Sequence, residues 1–375
     1  MSRFKGQVNY LLSQMRGFKT NRKIVVIESD DWGTIRIPNQ KTKEKLQKMG
    51  LDMVSNPYNQ LDTLENVNDL DALYELLNNK NFSNNQPKIT FNFITANPDF
   101  DKIESSEFKD YFYEKFTETY YHRDGNNDVK KMIDQGIDQH FIQPQFHGRE
   151  HIHVLRWLHE LQQQNEHFMH ALKEKCFCVE NTSNTNNRKN LLSAFEFETP
   201  LEKKFITQSI TEGLAIFKSS FGFQSTSAVA PRHVWNDDIE EVLAKNNVQC
   251  IQSALNQLVP SKNNYQSVYH YTGETNQFNQ IYTVRNAYFE PAYGSNINWE
   301  KQVLGKAKTA FLLKTPLIIS MHRINFVGGI NELNRLNNLT QFKSFLLKLI
   351  SLYPDIEFLS TDELAKTILN KNVRN

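Results

Sequence analysis

The chain has 375 residues, with 43 basic and 42 acidic side chains and a formal net charge of +1. That balance gives no electrostatic footprint for nucleic acid or an anionic membrane surface, and makes a small ligand the default partner. The length admits one large α/β barrel or two ordinary domains, while three cysteines, two of them in the tightly spaced Cys176-Phe-Cys178, offer no disulfide framework and point to a reducing compartment.

The N-terminal stretch lacks a continuous apolar segment of signal-peptide type, and nowhere do about 18 apolar residues run together. A soluble, cytoplasmic protein without membrane insertion is the expectation. Val8, Leu11, Leu12 and Met15 recur at helical spacing, so residues 1–22 read as a helical extension that packs as a lid. Lys23-Ile-Val-Val-Ile-Glu-Ser-Asp-Asp-Trp-Gly33 follows, and its β-branched run predicts a strand buried on both faces, as in parallel sheets. The strand delivers Asp30 and Asp31 at its C-terminal end. Side chains alternate across a strand, so two consecutive Asp residues serve one site only if the backbone turns between or just after them. The alternative is a polar loop with a helix-capping Asp.

Helices are predicted over 41–49 and 61–77, and a second strand over Lys88 to Thr95. Phe108, Phe112 and Phe116 fit one helical core face, whereas a sugar-binding platform would need such rings exposed; the spacing favours core. Phe141 to Phe146 reads as a strand, and His147-Gly-Arg-Glu-His151 as the mouth of a helix starting near Gly148. There the two imidazoles, four residues apart, point into one space, the geometry for a shared metal ion. His153 on such a helix points away from His147. Seven of the eleven histidines fall between His140 and His170, and His159, His167 and His170 read as a solvated or partly packed face. The Asn- and Thr-rich segment near 180–190 reads as an insertion. A helix over Glu202 to Phe221 is closed by Gly222, and a short strand then ends at Pro231, before Arg232 and His233. Strands are expected at 250–255 and 280–289, with a loop over 260–279 between them. Pro316 to Met321 is the last strongly apolar strand, and His322 follows it. A lone His there is equally a buried core residue.

Capable residues thus collect at strand ends: Asp30 and Asp31, Asn97, His147 and His151, Arg232 and His233, and His322. In a barrel of parallel strands all such ends open on one face. A carboxylate and two imidazoles make a facial ligand set, with a second carboxylate, an Arg and a His left for proton transfer.

The order of these motifs resembles the polysaccharide deacetylase family (NodB-homology domain, carbohydrate esterase family 4) over roughly Lys23 to Leu364. The family's Thr-Phe-Asp-Asp-Gly is similar to Glu28-Ser-Asp-Asp-Trp-Gly33, with Trp32 inserted. Its His-(Ser/Thr)-x-x-His is similar to His147-Gly-Arg-Glu-His151, and its Leu-x-x-His to Ile319-Ser-Met-His322. Its Arg-x-Pro is approximated by Ala230-Pro-Arg-His233 in reversed order, and its Asp-Trp motif has no counterpart. The resemblance implies an α/β fold, a distorted (β/α) barrel of about seven parallel strands formed by a single domain over 23–370, with inserted loops near 100–138, 180–190 and 260–279. It implies Asp31, His147 and His151 as ligands of a divalent metal, zinc before cobalt or nickel. Asp30 would be the general base, His322 the general acid, and Arg232 the group that keeps Asp30 ionised. The implied reaction removes an N- or O-acetyl group from a saccharide by attack of a metal-activated water. Two alternatives stand beside it: a saccharide-binding barrel that has lost its chemistry, and a non-haem iron oxygenase, since two His and one carboxylate also suit Fe(II).

Overall fold

The computed structural model describes residues 2–82, 85–177, 190–262, 264–294 and 296–372. Its centre is a sheet of nine strands: β1 (Lys23–Trp32), β2 (Ile89–Ile94), β3 (Ile142–Gly148), β4 (Ser227–Val229), β5 (Cys250–Ser253), β6 (Ile281–Val284), β7 (Ala287–Tyr288), β8 (Leu317–His322) and β9 (Ile356–Leu359). They run in the order β6-β5-β4-β3-β2-β1-β8-β7, with β9 beside the first half of β1 where β2 flanks the second half. Every pairing in this sheet is parallel. Helices connect the strands and cover the outside, so the sheet curls into a distorted (β/α) barrel, with nine strands where about seven are expected. The edges β6 and β7 are consecutive in the chain. Across the two residues between them, Arg285 N–H donates to Ser253 O at 2.9 Å and Asn286 N–H to Ile318 O at 3.0 Å, which draws the seam together.

Strand alternation on β1 sorts its side chains. Val25 and Ile27 join the large outer core with the helices Val67–Leu77, Trp299–Leu312 and Glu332–Leu352. Ile24 and Val26 face inward, where they meet Ile281, Ile318 and, from the helix Thr361–Asn372, Leu364, Ala365 and Ile368. That apolar cluster closes one end of the barrel. Continuing the inward parity, Glu28 and Asp30 occupy the next two levels, so the same period of two that builds the core carries carboxylates toward the open end.

Several predicted elements differ. The 61–77 helix is two, Pro57–Leu61 and Val67–Leu77, because Asn66 and Asp69 form a capping box that starts the second afresh. The aromatic stretch is not one helix: Phe100–Ser105 and Phe116–Asp124 are separated by a turn with Glu107 and Phe108 at positive φ and a short strand, Tyr113–Lys115. Phe108 and Phe116 are buried, as expected of core residues, but Phe112 is exposed. The expected loops at 100–138 and 260–279 contain regular structure, the first three helices and the second most of an antiparallel ribbon, Asn256–Pro260 with Tyr265–Tyr269. Cys178 and the bulk of the 180–190 insertion lie outside the described residues. Among the described residues no helix is long and apolar enough to cross a membrane.

Candidate active site

The backbone turn that two adjacent aspartates require is a β-bulge. Ser29 pairs with Phe91 and Trp32 with Phe93, so Asp30 and Asp31 stand opposite the single residue Asn92. Asp31 takes φ +74, in the left-handed region, a conformation that for a non-glycine residue is held against about 1–3 kcal/mol of strain. Two residues lock the bulge in place. Trp32, the insertion in the motif, stacks on Phe91 with ring centroids 3.6 Å apart and is fully buried. Gly33, at φ +82, leaves room that a Cβ would take from the Ile94 carbonyl oxygen, 2.5 Å away.

The bulge turns Asp31 toward two imidazoles. Its Oδ1 lies 3.4 Å from His147 Nε2 and 3.3 Å from His151 Nε2, and these three buried groups are the ones among the described residues whose ligand atoms could share a metal ion. His147 comes from the end of β3. His151 comes from a loop, because the next helix begins at Val154 rather than near Gly148. His153 caps that helix, its Nδ1 accepting from Arg156 N–H at 3.3 Å, and takes no part in the cluster.

The cluster fits a divalent cation. Ligand bonds of about 2.0–2.2 Å at tetrahedral or octahedral angles set neighbouring donor atoms about 3.0–3.5 Å apart. His147 Nδ1–H donates to Val229 O at 2.9 Å, which leaves Nε2 with its lone pair toward Asp31, the arrangement expected of a metal-ligating imidazole. Burial pushes His151 down to about 3, against the pull of Asp31, so that ring is neutral. Burial would raise the Asp31 carboxyl, but the positive charge around it, His322 and Arg36 included, holds it well below the usual carboxylate range. Its Oδ1 is nonetheless a buried acceptor with no hydrogen bond among the described residues, which is the atom a cation would satisfy.

Asp30 sits in a different environment. Arg285 grips it with two bonds, Nη1 to Oδ2 at 2.6 Å and Nη2 to Oδ1 at 2.7 Å, and Asn92 Nδ2 donates to Oδ1 at 2.7 Å. Arg285 Nε also donates to Glu28 at 2.6 Å. Burial opposes ionisation of Asp30, and the guanidinium overcomes it, holding the carboxyl far below its ordinary value. The polar chain continues inward from Asn92 to Gln252 and from Gln252 to Ser227 Oγ at 2.9 Å.

His322, the register partner of Asp30 across β1 and β8, has Nε2 at 3.9 Å from Asp30 Oδ2. Its Nδ1 donates to Glu290 Oε1 at 2.6 Å, and Asn325 Nδ2 donates to Glu290 Oε2 at 2.7 Å. Burial disfavours the imidazolium, but the Glu290 charge and hydrogen bond, with Asp30 and Asp31 behind, raise His322 to about 9. One carboxylate held ionised and one imidazole held protonated therefore face each other at the ligand cluster.

These groups open into a cavity of about 630 Å³ whose wall includes Tyr58, Tyr288 and Tyr293. Arg232 also lines it, but as an exposed residue on the rim, so the guanidinium on Asp30 belongs to Arg285 instead. Arg232 and His233 are both in the left-handed region, at φ +58 and +55. Ala254 N–H donates to His233 Nδ1 at 3.2 Å, so the ring's proton is on Nε2, and burial, reinforced by Arg285, lowers His233 to about 3. Asn97, also at a strand end, is a structural residue that accepts from Ile35 N–H and donates to Gly33 O and Thr119. The residues missed by sequence reasoning are Arg285, Glu290, Asn92 and Gln252. The first follows β6 and the second follows β7, so the strand-end rule would find both once 280–289 is divided into two strands.

Fold and site together define a parallel (β/α) barrel with a buried Asp-His-His group of metal-ligating type, flanked by a carboxylate and an imidazole held in opposite charge states. No family model and no curated protein matches the sequence. Solved structures do. A protein from Mycobacterium smegmatis assigned as a polysaccharide deacetylase is 9% identical, with a TM-score of 0.46 over 95% of this chain and 93% of that one. A 4-alpha-glucanotransferase from Thermococcus litoralis is 8% identical, with a TM-score of 0.46 over 94% of this chain and 41% of that one. A second protein assigned as a polysaccharide deacetylase, from Pseudomonas aeruginosa PAO1, is 10% identical, with a TM-score of 0.41 over 92% and 91%. At these scores the likeness transfers no chemistry to this chain, and the site stands on its own residues.

Proposed function

We propose that this chain is a metal-dependent hydrolase that removes an N- or O-acetyl group from a saccharide. Asp31, His147 and His151 hold the divalent ion, with zinc the first candidate and cobalt or nickel the next; Asp30 is the general base and His322 the general acid. The observation that supports this most is the pairing of Asp30 with His322 beside the ligand cluster, each fixed in the charge state its role needs by a separate buried partner. A divalent ion bound there would supply Lewis acidity, polarising a carbonyl and lowering the pKa of water. Asp30 orients the attacking water and takes its proton; gripped by Arg285 it is a weak base, so it holds that proton only briefly. His322, with Nδ1 committed to Glu290, presents Nε2–H to the departing amine or alcohol. Arg232 contacts the substrate at the rim, and Arg285 does the work on Asp30 that the resemblance assigns to Arg232. Arg285 and Glu290 also answer the altered and missing motifs that favour a barrel without chemistry. Three cysteines in 375 residues, with no disulfide framework in their spacing, support a setting in the cytoplasm.

The test compares wild type with Asp30→Asn and His151→Ala. Asp30→Asn is expected to keep about one ion per chain and to lose turnover of acetylated saccharides, and His151→Ala to lose the ion. Turnover retained by Asp30→Asn would remove the base assignment. Oxygen consumption with Fe(II) in wild type would favour the oxygenase.

A further inference from the structure

A second cavity, of about 780 Å³, lies between the first half of the helix Glu332–Leu352 and the residues Phe289 to Ala292 and Ile297 to Glu300. It shares a wall with the first. The short helix Pro57–Leu61 presents Tyr58 to the site at the strand ends and Leu61 to the second cavity. The turn Pro291–Tyr293 presents Tyr293 to the first and Pro291 and Ala292 to the second. The Tyr58 and Tyr293 hydroxyls meet across the top of this wall at 2.9 Å.

The lining of the second cavity is polar without a free charge. Its acid, Glu300, is taken up by Lys348 and by Ser344 Oγ at 2.8 Å. Most of the other polar groups are side-chain amides. Some serve the fold: Asn298 and Asn331 cap helices, and Asn334 donates to Ile324 O and Val327 O. Asn337 and Gln341 do not. They stand one helical turn apart on one face, exposed, and hold no hydrogen bond among the described residues. Trp299 adds an indole with 7% of its surface accessible, whose Nε1 is a buried donor with no partner among the described residues. Ile297 and Leu333, each exposed, complete an apolar rim. Carboxamides both donate and accept, as sugar hydroxyls do, while the apolar faces match the C–H faces of a pyranose. The absence of a free cation or anion in this lining disfavours a charged ligand.

We propose that this second cavity binds a neutral oligosaccharide, as an outer subsite for the chain whose acetylated unit reaches the ligand cluster across the Tyr58–Tyr293 wall. The link between the two cavities rests on the hydrolase reading; saccharide binding in the second cavity does not. An acceptable chain must then span the wall, so affinity grows with length.

The experiment titrates full-length Asp30→Asn protein, which leaves bound chains acetylated, with N-acetylated chito-oligosaccharides and with O-acetylated xylo-oligosaccharides of two to six units, followed by calorimetry. In one of the series the hexamer is expected to bind about tenfold more tightly than the dimer. Adding Asn337→Ala with Gln341→Ala is expected to weaken the hexamer about tenfold and to remove the gain with length. Both residues are exposed and without partners, so the fold is not at stake; Gln341→Glu gives a second variant, with the same loss expected. Length dependence that persists in these variants, or that is absent from both series in Asp30→Asn protein, overturns the proposal. Length-dependent binding together with no acetyl release by wild type leaves the subsite standing and removes the hydrolase reading instead.

Discussion

Replacing Glu290 by Gln removes the charge that keeps the His322 imidazole protonated while leaving the shape of the site nearly unchanged. In wild type the ring is raised to about 9 although burial alone would lower it, and the carboxylate 2.6 Å from Nδ1 is the largest opposing influence. An opposite charge at that range moves a pKa by about 1–3 pH units, so the titration midpoint in Glu290→Gln falls toward neutrality by that amount. The sign follows from the direction of the shift: His322 is charged below its midpoint, so the acid function is present below about pH 9 and disappears as pH rises through it. Stability follows the same course. A rise from 6.5 to about 9, at 1.36 kcal/mol per pH unit, corresponds to about 3 kcal/mol, fully present below pH 6.5 and lost as pH rises through about 9. The amide also accepts from only one of the two donors, His322 Nδ1 and Asn325 Nδ2, that the carboxylate satisfies together, which costs about a further 1–3 kcal/mol. Histidine C–H resonances of metal-free protein, followed from pH 5 to 10, give the midpoint directly. A wild-type midpoint near 6.5, or one that does not move in Glu290→Gln, would refute the assignment of His322 as an acid held by Glu290.

Two further outcomes are expected. Arg285→Met leaves Glu28 and Asp30 buried without their cation, and a loss of about 3–5 kcal/mol in urea unfolding should accompany loss of turnover. Gly33→Ala forces a Cβ against Ile94 O at positive φ, so thermal unfolding should report a loss of about 1–3 kcal/mol or more, and metal content should fall as the bulge that aims Asp31 shifts.

The strand β1 was legible because an unbroken β-branched run buried on both faces admits few other readings, and the need for a turn at Asp30-Asp31 followed from alternation alone. The bulge that meets this need was not legible, since it depends on Asn92 of a neighbouring strand. His147 and His151 were found by spacing, yet the helix inferred to unite them is a loop, and their convergence comes from β3 and Asp31. Arg285 and Glu290 escaped because 280–289 reads as one strand. Only the passage of the chain from one sheet edge to the other at Arg285 and Asn286 divides it, and which strands form the edges is a property of the folded sheet. Asn92 and Gln252 are polar residues inside apolar strands, a signal present in the sequence whose meaning appears once the inward face is known.

That crossing gives Arg285 two duties. Its backbone N–H ties β6 to β5 at one edge of the curled sheet, and its guanidinium joins Glu28 and Asp30 in the lumen. Opening the seam therefore withdraws the counter-charge from the base in the same movement. The protein has no partly opened form in which the barrel gapes and Asp30 keeps its charge at no cost. On heating, loss of a competent base and fraying of the β6–β7 edge should be one event, at a temperature at or below that of global melting.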